Sequence, residues 1–155
     1  MHVVLVEPEI PPNTGNIART CAATHSRLHL VEPLGFSISD RYLRRAGLDY
    51  WDFVEVRIYP DWQTLVETLG HPETWHYFTS HSSRFYTEAH YTQDSVLVFG
   101  KESTGLPQDL LDRYPQANYV IPMNRQVRSL NLSNAVAIVV YEAMRQQGFG
   151  PIELP

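Results

Sequence analysis

The sequence predicts an α/β fold in which a mostly parallel sheet carries helices on both faces. Three observations favour this fold class. Short runs rich in β-branched residues alternate with helical patterns, and several of these runs are apolar throughout, as buried parallel strands are. The chain of 155 residues has the length of one domain, and no repeat or composition break divides it. We therefore predict a single domain over residues 1–155.

The first half of the chain alternates three predicted strands with three predicted helices. His2 to Val6 is an apolar strand, and a proline-rich turn leads from it to Asn13, which we predict as the N-cap of a helix reaching Ser26. The other elements are a strand over 27–31, a short helix from Ser39 or Asp40 to Gly47, a strand over 54–59 and a helix over 61–69 ended by Gly70.

The second half continues the alternation and ends in an unusually apolar helix. We predict strands over 75–79, 95–99 and 119–121, and a short helix over 108–113. The last helix runs from Leu132 to Gln147, and its apolar residues spread nearly all round it, whereas a helix on the surface of a small domain has one polar face. We expect this helix to be covered both inside the fold and by a partner subunit.

Composition restricts the function classes. The chain carries 12 basic and 17 acidic residues, although a non-specific nucleic-acid binder is normally basic. Lys101 is the only lysine, and arginines group at positions 41, 44 and 45 and at 125 and 128, where they suit forked contacts to phosphate. The alternative for positions 41–45 is a solvated helix face. A single cysteine, no signal-peptide pattern and no long apolar stretch predict a soluble, cytoplasmic protein without a membrane span.

Three loops that leave predicted strand ends carry unusual chemistry, and ligands of parallel sheets bind at those ends. They cover residues 7–19, 100–107 and 122–134. In the first loop, Asn13 and Arg19 project from the start of a helix, where an anion is favoured. The alternative is purely structural: Asn13 caps the helix and Arg19 is an exposed side chain.

The second loop indicates a nucleotide-like ligand, and the third contains more polar groups than helix capping needs. Gly100 and Gly105 allow backbone atoms to approach a ligand closely, so we expect Gly100→Val to weaken its binding. This loop is not a Walker phosphate loop, because Ser95 stands where the required glycine would be, and no dinucleotide fingerprint is present. The third loop gathers four polar residues before the last helix, either as caps or as a binding site: Ser129, Asn131, Ser133 and Asn134.

Other kinds of site find no support in the sequence. The seven histidines show no metal-ligand spacing, so we predict no metal site. Cys21 lies in a helical pattern and is expected in the core. The nucleophile elbow of α/β hydrolases is absent.

Taken together, the loop motifs resemble those of the SPOUT superfamily of knotted RNA methyltransferases. Within it, they are similar to the small tRNA 2′-O-methyltransferases that modify the wobble nucleotide. The similarity covers nearly the whole chain. The motifs are V-E-P-E-I-P-P-N-T-G-N-I-A-R at 6–19, V-E-P-L-G-F at 31–36, L-R-R-A-G-L-D-Y at 43–50, the loop at 100–107, R-S-L-N-L-S-N-A-V at 128–136 and V-V-Y-E-A at 139–143.

This resemblance implies a C-terminal trefoil knot, a rare exception to the absence of knots in proteins. It also implies S-adenosyl-L-methionine as cofactor, the anticodon stem-loop of tRNA as substrate, and a homodimer through the last helix that brings Arg19 near the partner's cofactor pocket. The implied catalytic residues are Arg19, Asn13, Glu102, Ser129 and Asn131. The implied cofactor-binding residues are Phe78, Gly100, Ile121, Ser129, Leu130 and Ala135.

The chain also departs from this family. Lys101 and Thr104 stand where close relatives carry proline and arginine, and residues 80–89 lack a usual Lys-Gly after paired threonines. These departures concern substrate contacts. Three alternatives stay open on sequence grounds: a non-catalytic RNA-binding protein of the same fold, a methyltransferase acting on another RNA position, and a flavin or dinucleotide oxidoreductase, which the missing phosphate fingerprint disfavours.

Overall fold

The computed structural model describes residues 1–37, 50, 53–124 and 126–150. Within these ranges six strands form one sheet in the order β3-β2-β1-β5-β4-β6, and every pairing between neighbouring strands is parallel. The predicted parallel sheet is therefore confirmed. The strands are β1 (His2–Val6), β2 (Arg27–Val31), β3 (Val56–Tyr59), β4 (His76–Phe78), β5 (Val96–Phe99) and β6 (Asn118–Tyr119).

Helices cover both faces of this sheet. Successive residues of β1 point to opposite sides, so Val3 joins a core with Ile17 and Val136, while Val4 joins a second core with Leu65. None of the helices in the described ranges has the length and apolar character needed to cross a bilayer. The helices are α1 (Pro11–Ala23), α2 (Trp62–Leu69), α3 (Gln108–Arg113) and α4 (Leu132–Gln146).

The start of α1 differs from the prediction, and the difference matters for the site. The helix begins at Pro11, its N-cap is Ile10, and no side chain caps it. Prolines suit the first helical turn because the amides there have no partner within the helix. The prediction that Asn13 is the N-cap was therefore wrong, and its side chain is available for other contacts. The helix also ends at Ala23 instead of Ser26.

The other boundaries fall close to their predicted positions. Asp61 caps α2 by accepting a hydrogen bond of 2.7 Å from the Thr64 amide, and Gly70 ends the helix at φ 65°. The last strand is Asn118–Tyr119, one residue earlier than predicted and shorter. The helix predicted from Ser39 or Asp40 to Gly47 lies outside the described residues.

Helix α4 is covered on one side by the fold itself. Val136, Val139 and Val140 are fully buried in the core that α4 shares with α1. On its other side Ile138 and Tyr141 are 36% and 48% exposed. The expected cover inside the fold is confirmed, and an apolar strip remains on the outer side of the helix.

Candidate active site

A chain of three hydrogen-bonded side chains joins the three loops at the carboxyl edge of the sheet. The Glu102 carboxylate accepts a hydrogen bond of 2.9 Å from the Asn13 amide nitrogen. The Asn13 amide oxygen accepts one of 2.9 Å from Asn131, 118 positions further along the sequence. The structure thus brings together three of the predicted catalytic residues. We call them the edge chain.

Glu102 also occupies the start of helix α1. Its carboxylate accepts hydrogen bonds from the backbone amides of Glu9 at 2.8 Å and Ile10 at 3.3 Å. These are the only backbone N–H groups in the segment 8–12, whose other residues are prolines. A helix start favours an anion, and here the protein supplies that anion itself. The anion that the sequence favours at this helix start is thus the Glu102 carboxylate of the protein itself.

Asn131 has two functions at once. Its side-chain oxygen caps α4 by accepting hydrogen bonds from the amides of Ser133 at 2.9 Å and Asn134 at 3.4 Å, while its nitrogen donates to Asn13. The polar cluster before α4 is therefore partly a cap and partly a site. Ser129 is exposed and makes no hydrogen bond with any residue of the described ranges.

Arg19 lies on helix α1, six residues after Asn13. It is exposed on α1, and its guanidinium carbon lies 4.7 Å from the centre of the Tyr50 ring, a cation–π contact. The ring limits the positions that the guanidinium can take. Sequence reasoning gave Tyr50 no role, although it ends one of the family motifs.

Two further contacts between the first and second loops were not anticipated. The Lys101 ammonium donates to the Glu7 carboxylate at 2.7 Å, and the Ser103 hydroxyl donates to Glu9 at 2.9 Å. The hydrogen bond and the charge of Glu7 raise the pKa of Lys101 above its ordinary value. A local sequence pattern cannot reveal such contacts, because the partners are 94 positions apart.

Gly100 is required by the shape of its own loop. A Cβ atom added there would lie 2.0 Å from the carbonyl carbon of Gly105, within a turn closed by a 2.9 Å hydrogen bond from the Gly105 amide to the Lys101 carbonyl. Gly105 itself has φ +73°, which favours glycine. The physical reason given for Gly100→Val changes accordingly: the substitution would disrupt the turn before any ligand is involved.

The predicted cofactor residues cluster in part. Phe78 ends β4, its ring stacks on Phe99 at 4.7 Å, and the Thr79 amide donates to the Tyr119 carbonyl at 2.9 Å. Because β4, β5 and β6 are neighbours, Phe78, Gly100 and Ile121 lie along one edge. Leu130 and Ala135 are half-buried, at the end of the third loop and in the first turn of α4.

Several arginines are engaged away from this edge. Arg27 and Arg57 pair with Glu55 at 2.8 and 2.6 Å on neighbouring strands, and Arg145 pairs with Glu142 at 2.8 Å. Arg128, in the third loop, is exposed. The arginines at 41, 44, 45 and 125 lie outside the described residues.

Two surface cavities of about 360 and 340 Å³ lie elsewhere, around the start of β4. Trp75 and His76 line both, and neither cavity includes a residue of the edge chain. Ligands of parallel sheets bind at the carboxyl ends of strands, so we place the candidate site at the edge chain. In the part of the chain that the structure describes, no group of three or more His, Cys, Asp or Glu residues could hold a metal ion.

Two solved structures share the fold of this chain, and both concern methylation. The SpoU methyltransferase AviRb from Streptomyces viridochromogenes, solved with the cofactor AdoMet, shares the fold with a TM-score of 0.84 at 23% identity over 97% of this chain and 58% of that one. A structure solved for the 2-OH methylation of C/U34 on tRNA matches with a TM-score of 0.90 at 43% identity over 96% of both chains.

Sequence comparison gives the family. The model of the SpoU rRNA Methylase family matches residues 1–141, and the chain belongs to this family. A protein of Burkholderia cenocepacia named tRNA (cytidine(34)-2'-O)-methyltransferase is 50% identical over 151 residues, which cover 96% of both chains. A protein of Acidovorax with the same name is 50% identical over 96% of this chain and 93% of its own length.

Proposed function

We propose that this protein transfers a methyl group from S-adenosyl-L-methionine to the ribose 2′-hydroxyl of the wobble nucleotide, a cytidine or modified uridine, in the anticodon stem-loop of tRNA. The observation that carries the proposal is the edge chain, with Glu102, Asn13 and Asn131 assembled from three loops beside the helix of Arg19. Two relatives that are 50% identical to this chain carry the name tRNA (cytidine(34)-2'-O)-methyltransferase, which supports the choice of substrate.

We propose that the cofactor binds along the edge formed by Phe78, Gly100 and Ile121, with Ser129, Leu130 and Ala135 on its other side. The donor set suits such a ligand, because apolar side chains stand beside backbone groups that a nucleoside can hydrogen-bond. The Cβ direction of Gly105 is also free of atoms within 4 Å. When bound, S-adenosylmethionine supplies a methyl group that its sulfonium has already activated.

The chemical difficulty lies in the ribose hydroxyl, which is a poor nucleophile. We assign to Arg19 a contact with the neighbouring phosphate and stabilisation of the negative charge that develops on the hydroxyl oxygen. A guanidinium stays protonated in proteins, so Arg19 is not a general base, and the phosphate is the better proton acceptor. Tyr50 would hold the guanidinium in place from one side.

We propose that the edge chain holds the reacting groups in position. Asn13 is buried and held from both sides, by Glu102 and by Asn131. A site held in this way loses little entropy when the reacting groups are brought into line. We propose that Ser129 contacts the nucleotide or the cofactor from the third loop.

We also propose a homodimer and a knot. The exposed strip of Ile138 and Tyr141 on α4 is an apolar surface suited to a second copy of the chain, which would bring Arg19 near the partner's cofactor edge. The knot is the fold expected of the knotted methyltransferases that the loop motifs resemble.

The first experiment removes Arg19. We expect Arg19→Ala to lower kcat for methylation of tRNA about 1000-fold, since one charge-stabilising donor contributes on that order, while cofactor affinity stays unchanged. Arg57→Ala, on an edge strand far from the loops, is the matched control and should act as wild type. Normal turnover of Arg19→Ala, measured with mapping of the methylated nucleotide, contradicts this role.

The dimer is tested by mixing two impaired variants. If Arg19 serves the pocket of its partner, mixed dimers of Arg19→Ala and Asn131→Asp contain one intact composite site. Activity should therefore rise well above that of either variant after the two proteins are unfolded and refolded together. A mixture no more active than the average of its components, with dimers present by sedimentation, shows that each site is built within one chain.

A further inference from the structure

We propose that three consecutive residues of the second loop, Lys101, Glu102 and Ser103, form a clasp on segment 7–10, and that Lys101 and Ser103 are positioning residues for methyl transfer. This inference rests on the proposed function. It goes beyond that function by giving roles to the two residues on either side of Glu102.

The contacts of the clasp interleave. Lys101 donates to the Glu7 carboxylate at 2.7 Å, and Glu102 accepts from the Glu9 amide at 2.8 Å. Ser103 donates to the Glu9 carboxylate twice, from its amide at 3.0 Å and from its hydroxyl at 2.9 Å. Glu9 is thus held by its backbone and by its side chain, and each residue of the clasp makes a different contact.

Segment 7–10 is also held from the side opposite to the clasp. The Glu7 amide donates to the Val31 carbonyl at 2.9 Å, and the Gly35 amide donates to the Pro8 carbonyl at 2.9 Å. A Cβ atom on Gly35 would lie 2.7 Å from the Cα of Glu9, so the two backbones are in direct contact. The clasp therefore closes the one side that the second loop faces, and α1 with Asn13 begins directly beyond this segment.

Charge explains why Lys101 is the sensitive part. Glu7, Glu9 and Glu102 place three carboxylates where the first and second loops meet, and Lys101 supplies an ammonium among them. The two side chains of the Lys101–Glu7 pair are 31% and 32% exposed, so water and salt screen them only in part. Without Lys101, Glu7 loses its partner on the second loop, and we expect the segment that positions Asn13 to be loosened.

Hydrogen exchange tests the clasp without reference to activity. In Lys101→Met we expect the amides of Glu9 and Ile10 to exchange at least about tenfold faster than in the wild type, because their acceptor Glu102 sits on a loosened loop. Lys101→Arg keeps the charge and should restore slow exchange. Arg57→Met, which removes an ion pair of 2.6 Å on strand β3, is the matched control.

Kinetics then test the positioning role. A misplacement on the order of 1 Å can cost about 100-fold in rate. Lys101→Met leaves the contacts of Glu102 and Ser103 in place, so we expect it to lower kcat only about tenfold, with KM for tRNA nearly unchanged. Ser103→Ala should act in the same direction. Adding Glu7→Gln to Lys101→Met should cause little further loss, because both substitutions remove the same contact.

The outcomes separate this inference from the proposed function. Wild-type exchange and wild-type kcat in Lys101→Met overturn the clasp, as does an equal loss of kcat in Arg57→Met. Faster exchange at Glu9 and Ile10 with kcat unchanged overturns the positioning role. A wild-type protein that does not methylate tRNA overturns the proposed function, while the exchange rates still decide whether the clasp exists.

Discussion

Within the described residues, a chain of hydrogen-bonded side chains at the edge of the sheet differs from one inside the sheet in what surrounds it. The edge chain of Glu102, Asn13 and Asn131 joins three loops. The second, which we call the core chain, joins three adjacent strands: His2 contacts His29 at 2.9 Å, and His29 contacts the Tyr59 hydroxyl at 3.0 Å.

The difference between the two chains lies in access to solvent and ligands. His29 is only 1% exposed and uses both ring nitrogens within the core chain. In the edge chain, Asn13 is buried, but Asn131 is exposed and Glu102 is half-buried. The core chain runs from the half-buried His2 to two buried residues and contributes to stability, whereas the edge chain opens at the strand ends, where ligands of parallel sheets bind. Substitutions in the core chain should therefore change stability, and those in the edge chain should change activity.

The largest expected effect is the pH dependence caused by His29. Burial lowers its pKa from the ordinary value of 6.5 to about 4. Both states are neutral above pH 6.5, and between 6.5 and about 4 the unfolded chain binds a proton that the folded chain excludes. The free energy of unfolding should therefore fall over this range by on the order of 3 kcal/mol, with no further loss from His29 at lower pH.

Denaturant unfolding at a series of pH values checks this expectation. His29→Gln keeps a donor and an acceptor but does not titrate, so its stability should depend less on pH between 6.5 and 4. His81→Gln changes an exposed histidine and serves as the control. Equal pH dependence in all three proteins would show that the core chain does not exclude the proton.

The second effect separates the two functions of Asn131. An aspartate there still accepts from the amides of Ser133 and Asn134, but it cannot donate to Asn13. We expect Asn131→Asp to lower the free energy of unfolding by about 1 kcal/mol, because aspartate is an equally good N-cap but the buried Asn13 oxygen loses its donor. Its kcat should fall about 30-fold, since Asn13 loses its donor at the reacting edge.

Asn131→Ala is the companion variant. It loses the cap as well, so its stability should fall by about a further 1 kcal/mol below that of Asn131→Asp, and its activity should also fall. Thermal unfolding and methyl transfer are measured on both proteins. An active Asn131→Asp would remove the edge chain from the explanation of catalysis.

The smallest effect concerns Tyr59. Tyr59→Phe removes the hydroxyl that contacts His29 and leaves the buried ring in place. We expect a loss of about 1 kcal/mol in the free energy of unfolding, as for one buried hydrogen bond, with kcat unchanged. A change in kcat at temperatures well below unfolding would mean that the core chain is coupled to the site. It would contradict the expectation that substitutions in the core chain change stability alone.

The sequence predicts the elements of this fold well because their signals are local. Strands such as β1 are apolar over consecutive residues, and Gly70 and Asp61 bound α2 as expected. The start of α1 was misplaced because Asn13 has the chemistry of a cap, and only the tertiary structure shows that its side chain contacts Glu102 instead.

The sequence identified the residues of the candidate site but not all of the contacts between their side chains. Asn13, Glu102 and Asn131 were all identified, whereas the contacts of Lys101 with Glu7 and of Ser103 with Glu9 were not. Each of these contacts joins residues about ninety positions apart, and their side chains would suit a solvated surface equally well. Only the parallel pairing of β1 with β5 brings them together.

The pairing of β1 with β5 has a consequence for the order in which the molecule can be assembled. Strand β1 lies inside the sheet, yet one of its two neighbours follows only after most of the chain. Sheets built from such distant pairings fold slowly, because the entropy of closing a long loop is lost before the contacts between the strands can stabilise the chain. During synthesis, the backbone edge of β1 that will pair with β5 therefore stays unpaired until β5 is available. We expect a chaperone or a misfolded copy of the chain to bind at this edge.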